Sequence, residues 1–393
     1  MSDNTIQFVS CSFCGKGRKE IEKLIVSEDA ARCNECVDLC DSIIHRERMD
    51  RAMRDAGTLD PIKIKEYLDQ YIIGQGQAKM TLSVAIVNHY KRIRLKPKIR
   101  IDKANVLLYG PSGSGKTILA KTVAEYIDVP FVIADATTLT EAGYVGEDVE
   151  SVISRLLAAA NGDAERAQQG IVFIDEIDKI SRKSESNTAS KDISGEGVQQ
   201  ALLKLVEGTK CKVSTNKNES VEVDTSNILF IAGGAFVDLE RILQNKHKHS
   251  AMGFAGTVDK TAVELSQATP DDFTKFGMIP EFTGRFPIMV HTDELTEEEL
   301  VRVLTDAVGS PIAQMQFYFE ADGIELDFEP DALKAIAAEA RKFKTGARGL
   351  RAILERVLMP YQFALVSLKQ EGVKRLLVTE AVITSNAPIT MIS

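Results

Sequence analysis

A glycine-rich segment carries the clearest chemistry in the sequence. Residues 110–117 read GPSGSGKT, and they stand between an apolar run and a helical pattern at Ile118–Ile127. Glycines let backbone N–H groups wrap around phosphate, and a helix N-terminus adds favourable partial charge. We expect Lys116 to reach the β- and γ-phosphates of ATP and Thr117 to hold Mg²⁺ through its hydroxyl. The predicted nucleotide-binding residues are Pro111, Ser112, Gly113, Ser114, Gly115, Lys116, Thr117 and Ile118.

Two adjacent carboxylates complete the predicted hydrolytic site. Asp175 and Glu176 directly follow the continuous apolar run Ile171–Ile174, which indicates a buried parallel strand. Ligands bind at the carboxyl ends of such strands in open α/β sheets. We expect Asp175 to hold the Mg²⁺ shell and Glu176 to orient and activate the attacking water. The alternative for this pair is a solvated strand end, but together with the phosphate loop it predicts hydrolysis of ATP.

Two arginines are candidates for stabilising charge on the transferring phosphoryl group. Arg285 follows a glycine turn in the segment Ile279–Arg285, and Arg348 opens a C-terminal helical pattern. A surface salt bridge is the alternative role for either side chain. We predict that both arginines are catalytic.

Four cysteines near the N-terminus have the spacing of a metal site. They form two Cys-x-x-Cys pairs separated by eighteen residues: Cys11, Cys14, Cys33 and Cys36. This spacing is typical of a closed, structural Zn²⁺ site with four thiolates, in which the ion stabilises a core too small to fold alone. The alternatives are redox chemistry of the Cys-x-x-Cys type, or substitution of one ligand by Cys40 or His45.

Alternating strand-like and helical patterns must position these residues. Continuous apolar runs predict four buried strands: Asn105–Tyr109, Phe131–Ala134, Ile171–Ile174 and Ile228–Ala232. Helical patterns separate them, which is typical of an α/β fold with a parallel sheet. The C-terminal part reads as mostly helical, with helices at Asp331–Arg341 and Arg348–Leu368, a kink or break at Pro360 and a frayed tail.

These patterns divide the chain into four parts. The expected divisions are a zinc-binding N-terminal domain (1–45), a linker (46–62), a large ATPase domain (63–295) and a small lid domain (296–393).

Composition and charge limit the remaining possibilities. The 393 residues are too many for one ordinary domain, and no apolar stretch is long enough to cross a bilayer. The N-terminus lacks the layout of a secretory signal, so we expect a cytoplasmic protein with reduced cysteines and no membrane partner. The net charge of −9 disfavours nucleic acid as a partner, and the basic run at 91–103 is expected to be a solvated helix end and linker.

Several segments together resemble a known family. The sequence is similar to AAA+ ATPases, and within them to the ClpX family of ATP-dependent protein unfoldases, over nearly the whole chain. Besides the phosphate loop and the carboxylate pair, the segments that carry the resemblance are Tyr71–Lys79, Asp178–Lys183, Ser194–Lys204, Gly233–Phe236, Ile279–Arg285 and Lys344–Arg351.

The resemblance implies roles that spacing alone does not show. Ile72 and Ile73 would line the adenine pocket, Arg285 would reach the ATP of a neighbouring subunit, and Arg348 would sense nucleotide from the small domain. A trans-acting Arg285 requires a ring, and the family forms homohexamers. The strand at Ile228–Ala232 ends in Gly-Gly rather than in the polar sensor common in AAA+ ATPases, so we assign no sensor there.

Two loop segments resemble the parts of this family that handle other proteins. Residues 143–146 read GYVG, and the resemblance implies that Tyr144 and Val145 grip a translocating polypeptide. Met252, Gly253 and Phe254 resemble the tripeptide that docks into a ClpP-type peptidase, with Met in place of Ile or Leu. A buried turn aromatic and a buried loop hydrophobe are the respective alternatives.

The resemblance therefore leads to a specific functional hypothesis. We expect an unfoldase that threads polypeptides through a hexameric pore, delivers them to ClpP and also acts alone as a chaperone or disassembly factor. The zinc domain is expected to dimerise and to recruit substrates and adaptors. The family's Arg-Lys-His entrance loop is absent at 213–220 (VSTNKNES), which predicts weaker attraction of the usual degradation tag. The alternatives are a nucleic-acid motor, such as a helicase or clamp loader, and a non-catalytic scaffold.

Overall fold

The computed structural model describes these parts of the chain: 10–26, 30–40, 43, 59–95, 99–140, 147–181, 193–214, 220–251, 265–343 and 345–393. They belong to two compact units, Met1–Leu59 and Asp60–Ser393. Within the described ranges, no helix is long and apolar enough to cross a membrane.

The first unit is built from a short hairpin and a helix. Strands β1 (Leu24–Val26) and β2 (Ala31–Cys33) pair antiparallel, and helix α1 follows at residues 34–40. The core of this unit is small and consists mostly of thiols: Cys11, Cys33 and Cys36, with Ile21 and Leu24 packed against them. So little buried apolar area is insufficient to stabilise the unit, which is why a bound metal is expected.

The second unit contains all the remaining elements. Its helices are α2 (Pro61–Tyr71), α3 (Gly76–Leu95), α4 (Lys116–Tyr126), α5 (Ser151–Ala159), α6 (Ala164–Ala167), α7 (Ile193–Glu207), α8 (Leu239–Ala251), α9 (Pro270–Phe276), α10 (Pro280–Gly284), α11 (Glu297–Thr305), α12 (Pro311–Ala321), α13 (Pro330–Lys342), α14 (Ala347–Phe363), α15 (Leu365–Gln370) and α16 (Glu380–Thr384). Its strands are β3 (Val106–Tyr109), β4 (Phe131–Asp135), β5 (Leu139–Thr140), β6 (Glu147–Asp148), β7 (Ile171–Asp175), β8 (Lys210–Ser214), β9 (Ser220–Asp224), β10 (Leu229–Gly234), β11 (Ile288–His291), β12 (Glu325–Phe328), β13 (Arg375–Val378) and β14 (Thr390–Ile392).

Five parallel strands form the central sheet, in the order β11–β3–β10–β7–β4. The prediction of an α/β fold with a parallel sheet is confirmed, and all four predicted strands are present with small shifts at their ends. Strand β11 was not predicted, because most of its residues are only half-buried at the edge of the sheet and give a weaker apolar signal. The carboxyl ends of β3, β7 and β10 meet at one edge, which brings the phosphate loop next to the carboxylate pair.

Capping residues determine where two helices of this unit begin. Asp60 accepts a hydrogen bond from the Ile62 N–H at 2.9 Å, so α2 begins at Pro61, inside the segment predicted as linker. Thr296 and Glu299 cap each other at the start of α11, after the chain leaves the central sheet.

Helices α11–α16 and the sheet β12–β13–β14 surround a second apolar core, which we call the core of the C-terminal subdomain. We call α2 to β11 the ATPase subdomain. The frayed tail predicted for the C-terminus is wrong. Strand β14 pairs antiparallel with β13, and the Ile389 N–H donates to the Tyr361 hydroxyl at 2.7 Å.

The break predicted at Pro360 is also wrong in its position. Helix α14 continues through Pro360 to Phe363, and the break before α15 falls at Ala364, whose N–H donates to the Pro360 carbonyl at 3.2 Å. Ile353 and Leu358 of this helix are buried, and their packing outweighs the one helical hydrogen bond that proline removes.

Candidate functional site

A cavity of about 700 Å³ lies at the carboxyl edge of the central sheet. Its walls come from the phosphate loop, the ends of β7 and β10, Tyr71 at the end of α2, and the C-terminal subdomain. Six predicted nucleotide-binding residues line it: Ser112, Gly113, Gly115, Lys116, Thr117 and Ile118. Pro111 and Ser114 border a smaller cavity of about 200 Å³ on the other side of the loop.

The phosphate loop is packed directly against the C-terminal subdomain. Gly113 has a φ of 74°, and a Cβ at this position would lie 2.3 Å from the Thr345 carbonyl oxygen. The Ala347 N–H donates to the Gly113 carbonyl at 3.2 Å. Only glycine therefore fits at position 113, because of both its left-handed conformation and the close approach of backbone.

Lys116 lies inside this loop. Its ammonium donates to the carbonyls of Gly110 at 2.7 Å and Pro111 at 2.8 Å. Burial lowers the pKa of Lys116 from 10.5 to about 8, although the charges of Asp175 and Asp178 act in the opposite direction. An anionic phosphate would fit next to this partly desolvated ammonium at the start of α4. The negative charge of the phosphate would stabilise the protonated Lys116, which burial alone disfavours.

Asp175 and Glu176 lie at the end of β7 and line the cavity. The Thr117 hydroxyl donates to Asp175 Oδ2 at 3.0 Å. Two oxygens at this separation fit neighbouring positions around octahedral Mg²⁺, because bonds of about 2.1 Å place adjacent ligands about 3.0 Å apart. Glu176 has φ 54° and ψ 34°, and its N–H donates to Asp175 Oδ1 at 3.0 Å. Left-handed backbone at a non-glycine residue is strained and tends to occur at functional sites.

Residues 292–296, which we call the connecting segment, join β11 to α11 and contact the nucleotide-facing elements. The hydroxyl oxygens of Ser114 and Thr292 lie 2.7 Å apart, and both side chains are buried. The side-chain amide of Gln75 forms two hydrogen bonds with the backbone of Asp293, at 2.8 and 2.9 Å. The junction of the two subdomains is therefore bonded both to the phosphate loop and to the corner between α2 and α3.

The two candidate arginines lie in different places. Arg348 lines the cavity together with Arg351, one turn further along α14. Arg285 lies at the end of α10 outside the described lining of the cavity, where its exposed guanidinium donates to Glu207 at 2.8 Å. The structure thus brings Arg348, but not Arg285, to the phosphate loop of its own chain.

Ile72 and Ile73 directly follow α2 and are both buried. The Ile72 carbonyl accepts a hydrogen bond from the buried Lys79 ammonium at 2.9 Å, which holds this turn in place. Tyr71, the residue before them, contributes to the cavity wall. A contact between the two isoleucines and adenine stays a prediction.

The four predicted zinc ligands come together in the first unit. The Sγ atoms of Cys11, Cys14, Cys33 and Cys36 all lie within 4.8 Å of one another, and those of Cys14 and Cys33 are 3.7 Å apart. Tetrahedral Zn–S bonds of about 2.3 Å place sulfur atoms about 3.8 Å apart, so the arrangement fits the ion. Backbone N–H groups of Cys14, Cys33 and Phe13 lower the pKa of Cys11 to about 6, whereas burial raises the pKa of Cys33 and of Cys36. A bound Zn²⁺ would supply the positive charge that stabilises all four as thiolates.

Both predicted protein-handling segments lie outside the described residues. Tyr144 and Val145 fall within 141–146, and Met252, Gly253 and Phe254 fall within 252–264. Their roles stay predictions.

The cavity also contains residues that the sequence analysis left without a role. Asp178 and Lys179 line it from the short 3₁₀ turn after β7, and the segment between α11 and α12 contributes Ser310. Asp178 had a signal in the sequence, since it is a third carboxylate three residues after Asp175. Ser310 had none, because its place depends on how the C-terminal subdomain packs.

The parallel sheet has this strand order, with a phosphate loop after β3, a carboxylate pair after β7 and a helical subdomain that closes the cavity. Together these features define an ATPase of the AAA class. Comparison with protein families agrees with this class. Residues 101–289 match the AAA domain (Cdc48 subfamily), 295–371 match the C-terminal, D2-small domain of ClpB protein, and 9–46 match the ClpX C4-type zinc finger.

Similarity to one characterised relative covers nearly the whole chain. The chain is 48% identical to the ATP-dependent Clp protease ATP-binding subunit ClpX of Treponema denticola, over 96% of its own length and 94% of the relative. It therefore belongs to the ClpX family. The predicted family, the ATPase activity and the zinc-binding N-terminal module are confirmed.

Proposed function

We propose that the protein couples ATP hydrolysis to the unfolding of other proteins. It threads polypeptides through the pore of a homohexamer, delivers them to a ClpP-type peptidase, and also disassembles complexes on its own. The observation that supports this most is the hydrolytic arrangement around one cavity, in a chain that aligns almost end to end with an ATP-binding subunit of the Clp protease.

Within the cavity, four side chains divide the work of hydrolysis. Lys116 binds the β- and γ-phosphates, and Thr117 and Asp175 hold Mg²⁺, which neutralises phosphate charge. Glu176 orients the attacking water and accepts its proton. The 3.0 Å contact between Thr117 and Asp175 supports the shared metal role.

The arginines act from two subunits. Arg348 stabilises the phosphates of its own chain, because it lines the same cavity as Lys116. Arg285 is exposed and acts on the ATP of a neighbouring subunit, which is why the active form is a ring. Its ion pair with Glu207 is exposed, so little free energy is needed to exchange it for a phosphate. Ile72 and Ile73 form the adenine pocket.

The remaining proposed roles concern protein partners. Tyr144 and Val145 grip the polypeptide in the pore, and Met252–Phe254 dock into the peptidase. The N-terminal domain, folded around Zn²⁺ on the four clustered thiols, recruits substrates and adaptors. We propose that the boundary between the large and small domains lies at residues 295 and 296, at the start of the core of the C-terminal subdomain, to which Leu295 already belongs.

Nucleic acid is a poor alternative substrate, because charges of the basic run are used inside the fold. The Arg92 guanidinium donates to the Ser226 carbonyl at 3.3 Å and to the Asn227 side chain at 3.2 Å. The Lys103 ammonium donates to the Thr225 carbonyl at 3.1 Å and lies over the Phe230 ring. Phosphate binding would have to compete with these contacts.

The experiment that tests this proposal is degradation of a stable, tagged fluorescent protein with and without the cognate peptidase. We expect loss of native fluorescence with ATP, and peptide products only when the peptidase is present. Tyr144→Ala should slow unfolding more than it slows ATP hydrolysis. Deletion of Met252–Phe254 should abolish degradation but preserve unfolding, and continued degradation by that variant would contradict the docking role.

A further inference from the structure

One wall of the nucleotide cavity, formed by Gly234, Ala235 and Val237 at the end of β10, has no polar side chain of its own. Strand β10 ends in Gly233 and Gly234, and a Cβ on either would lie 2.5 Å from a ring carbon, of Phe173 and Phe236 respectively. Both phenylalanines are fully buried, so neither ring can move aside without disrupting the core. This strand end therefore has no room for a polar side chain facing the nucleotide.

Asp178 supplies a carboxylate at the same wall. It follows β7 on the 3₁₀ turn, lines the cavity and is only 5% exposed. Its Oδ1 accepts a hydrogen bond from the Ala235 N–H at 3.1 Å, and its Oδ2 accepts one from the Lys179 ammonium at 3.1 Å. A Cβ at Gly234 would lie 2.9 Å from Asp178 Oδ1, so the glycine also permits the approach of the carboxylate.

The backbone bonded to Asp178 continues into the phosphate loop. The Gly234 carbonyl, adjacent to Ala235, accepts a hydrogen bond from the Gly110 N–H at 3.3 Å. The Gly110 carbonyl in turn accepts one from the Lys116 ammonium at 2.7 Å. A buried carboxylate is costly unless its oxygens are bonded, and here each oxygen has a partner that fixes it.

We propose that Asp178 is a positioning residue for ATP hydrolysis, which holds the end of β10 against the phosphate loop through the Ala235 N–H. It thereby substitutes for the polar side chain that this strand end cannot accommodate. The inference rests on the hydrolytic roles proposed for Asp175 and Glu176, and it is independent of threading and of the peptidase.

The test uses the full-length protein and a matched control carboxylate. Asp272 is fully buried and accepts hydrogen bonds from a backbone N–H, of Thr269 at 2.9 Å, and from a lysine, Lys246 at 2.8 Å. It therefore matches Asp178 in burial and in the kinds of its partners, although both of these bonds go to one oxygen, Oδ2, and it lies on α9, outside the described lining of the cavity. Substitutions to Ala and Asn are made at both positions, and kcat and KM for ATP are measured alongside the thermal midpoint.

Asp178→Ala leaves the Ala235 N–H unsatisfied, and we expect kcat to fall about tenfold or more while KM changes less than about threefold. Asp178→Asn keeps an acceptor oxygen for this N–H and should recover much of the lost rate. Asp272→Ala should lower the thermal midpoint by a similar amount but keep kcat within about twofold of the parent protein.

Three results would overturn the proposal: parental kcat in Asp178→Ala, no recovery in Asp178→Asn, or an equal loss of kcat in Asp272→Ala. A parent protein without ATPase activity would instead contradict the hydrolytic site formed with Asp175 and Glu176.

Discussion

The hydrogen bond between Ser114 and Thr292 provides a measurable link between the phosphate loop and the junction of the two subdomains. Thr292 is 0% exposed and Ser114 is 3% exposed, with their hydroxyl oxygens 2.7 Å apart. The Ser114 hydroxyl donates to the Pro111 carbonyl at 2.8 Å, which leaves its oxygen free to accept from Thr292. The other acceptor within reach of the Thr292 hydroxyl, the Tyr109 carbonyl, is farther away at 3.3 Å, so we assign the Thr292 hydrogen to Ser114. Thr292 therefore helps to fix the loop that carries Lys116.

Thr292→Val removes this donor with almost no change in volume. Loss of a buried hydrogen bond costs about 1 kcal/mol, rising to about 2 kcal/mol when an acceptor is left unsatisfied. Ser114→Ala removes the same bond from the other side, so the double variant should lose about 1 kcal/mol less than the sum of the two single losses. Because the loop binds phosphate, we expect each single variant to bind ATP about fivefold more weakly.

The assay is a double-mutant cycle that combines urea unfolding with calorimetric titration of ATP. Thr225→Val is the control. The Thr225 hydroxyl is equally buried and donates to the Leu205 carbonyl at 2.8 Å. Thr225 lies just before the start of β10, and the cavity lies at the other end of that strand. The control should lose stability but keep its affinity for ATP. A coupling free energy below about 0.3 kcal/mol between Ser114 and Thr292 would refute the reasoning.

Three further predictions concern hydrolysis, pH and zinc. Glu176→Gln should bind ATP with parental affinity in equilibrium titration but lower kcat about a hundredfold or more, because the attacking water loses its base; brisk turnover would remove Glu176 from this role. Burial lowers the pKa of Lys116 to about 8, so the positive charge of Lys116 is lost as pH rises through that value. We therefore expect kcat/KM for ATP to be flat below pH 8 and to fall above it. A profile that stays flat to pH 10 would contradict this. Metal analysis should find about one zinc ion per chain. Cys14→Ser or a strong chelator should remove the ion and increase amide hydrogen exchange in the N-terminal unit, while the ATPase activity persists. Unchanged protection from exchange in the zinc-free protein would argue against a structural ion.

Local sequence was sufficient to predict that the phosphate loop and the carboxylate pair lie together at one edge of the sheet. Both follow continuous apolar runs, and parallel strands bring their carboxyl ends to one edge whatever their order in the sheet. The same reasoning predicted the zinc thiols, since two short Cys-x-x-Cys turns need only one ion to bring them together. Asp175 and Thr117 accordingly lie within hydrogen-bonding distance of each other.

Contacts between distant parts of the chain could not be predicted in this way. Thr292 and Gln75 carry no motif, and their partners depend on how the connecting segment packs against the loop and α2. The C-terminal tail looked unstructured because β14 is short and exposed. It is held by the pairing of β14 with β13 and by the burial of Ile389, which depends on how distant parts of the chain pack. The helix break was predicted too early, at Pro360, because tertiary packing overrides the local preference of proline to interrupt a helix.

The central claim is that hydrolysis at the cavity formed by Lys116, Asp175 and Glu176 drives the unfolding of other proteins. The most direct measurement follows ATP consumption and loss of native fluorescence of a stable tagged protein in one sample with Mg²⁺. The account predicts that the parent protein consumes ATP and unfolds the substrate, and that Glu176→Gln does neither. ATP consumption by the parent protein without any unfolding, or unfolding at the same rate by Glu176→Gln, would contradict it.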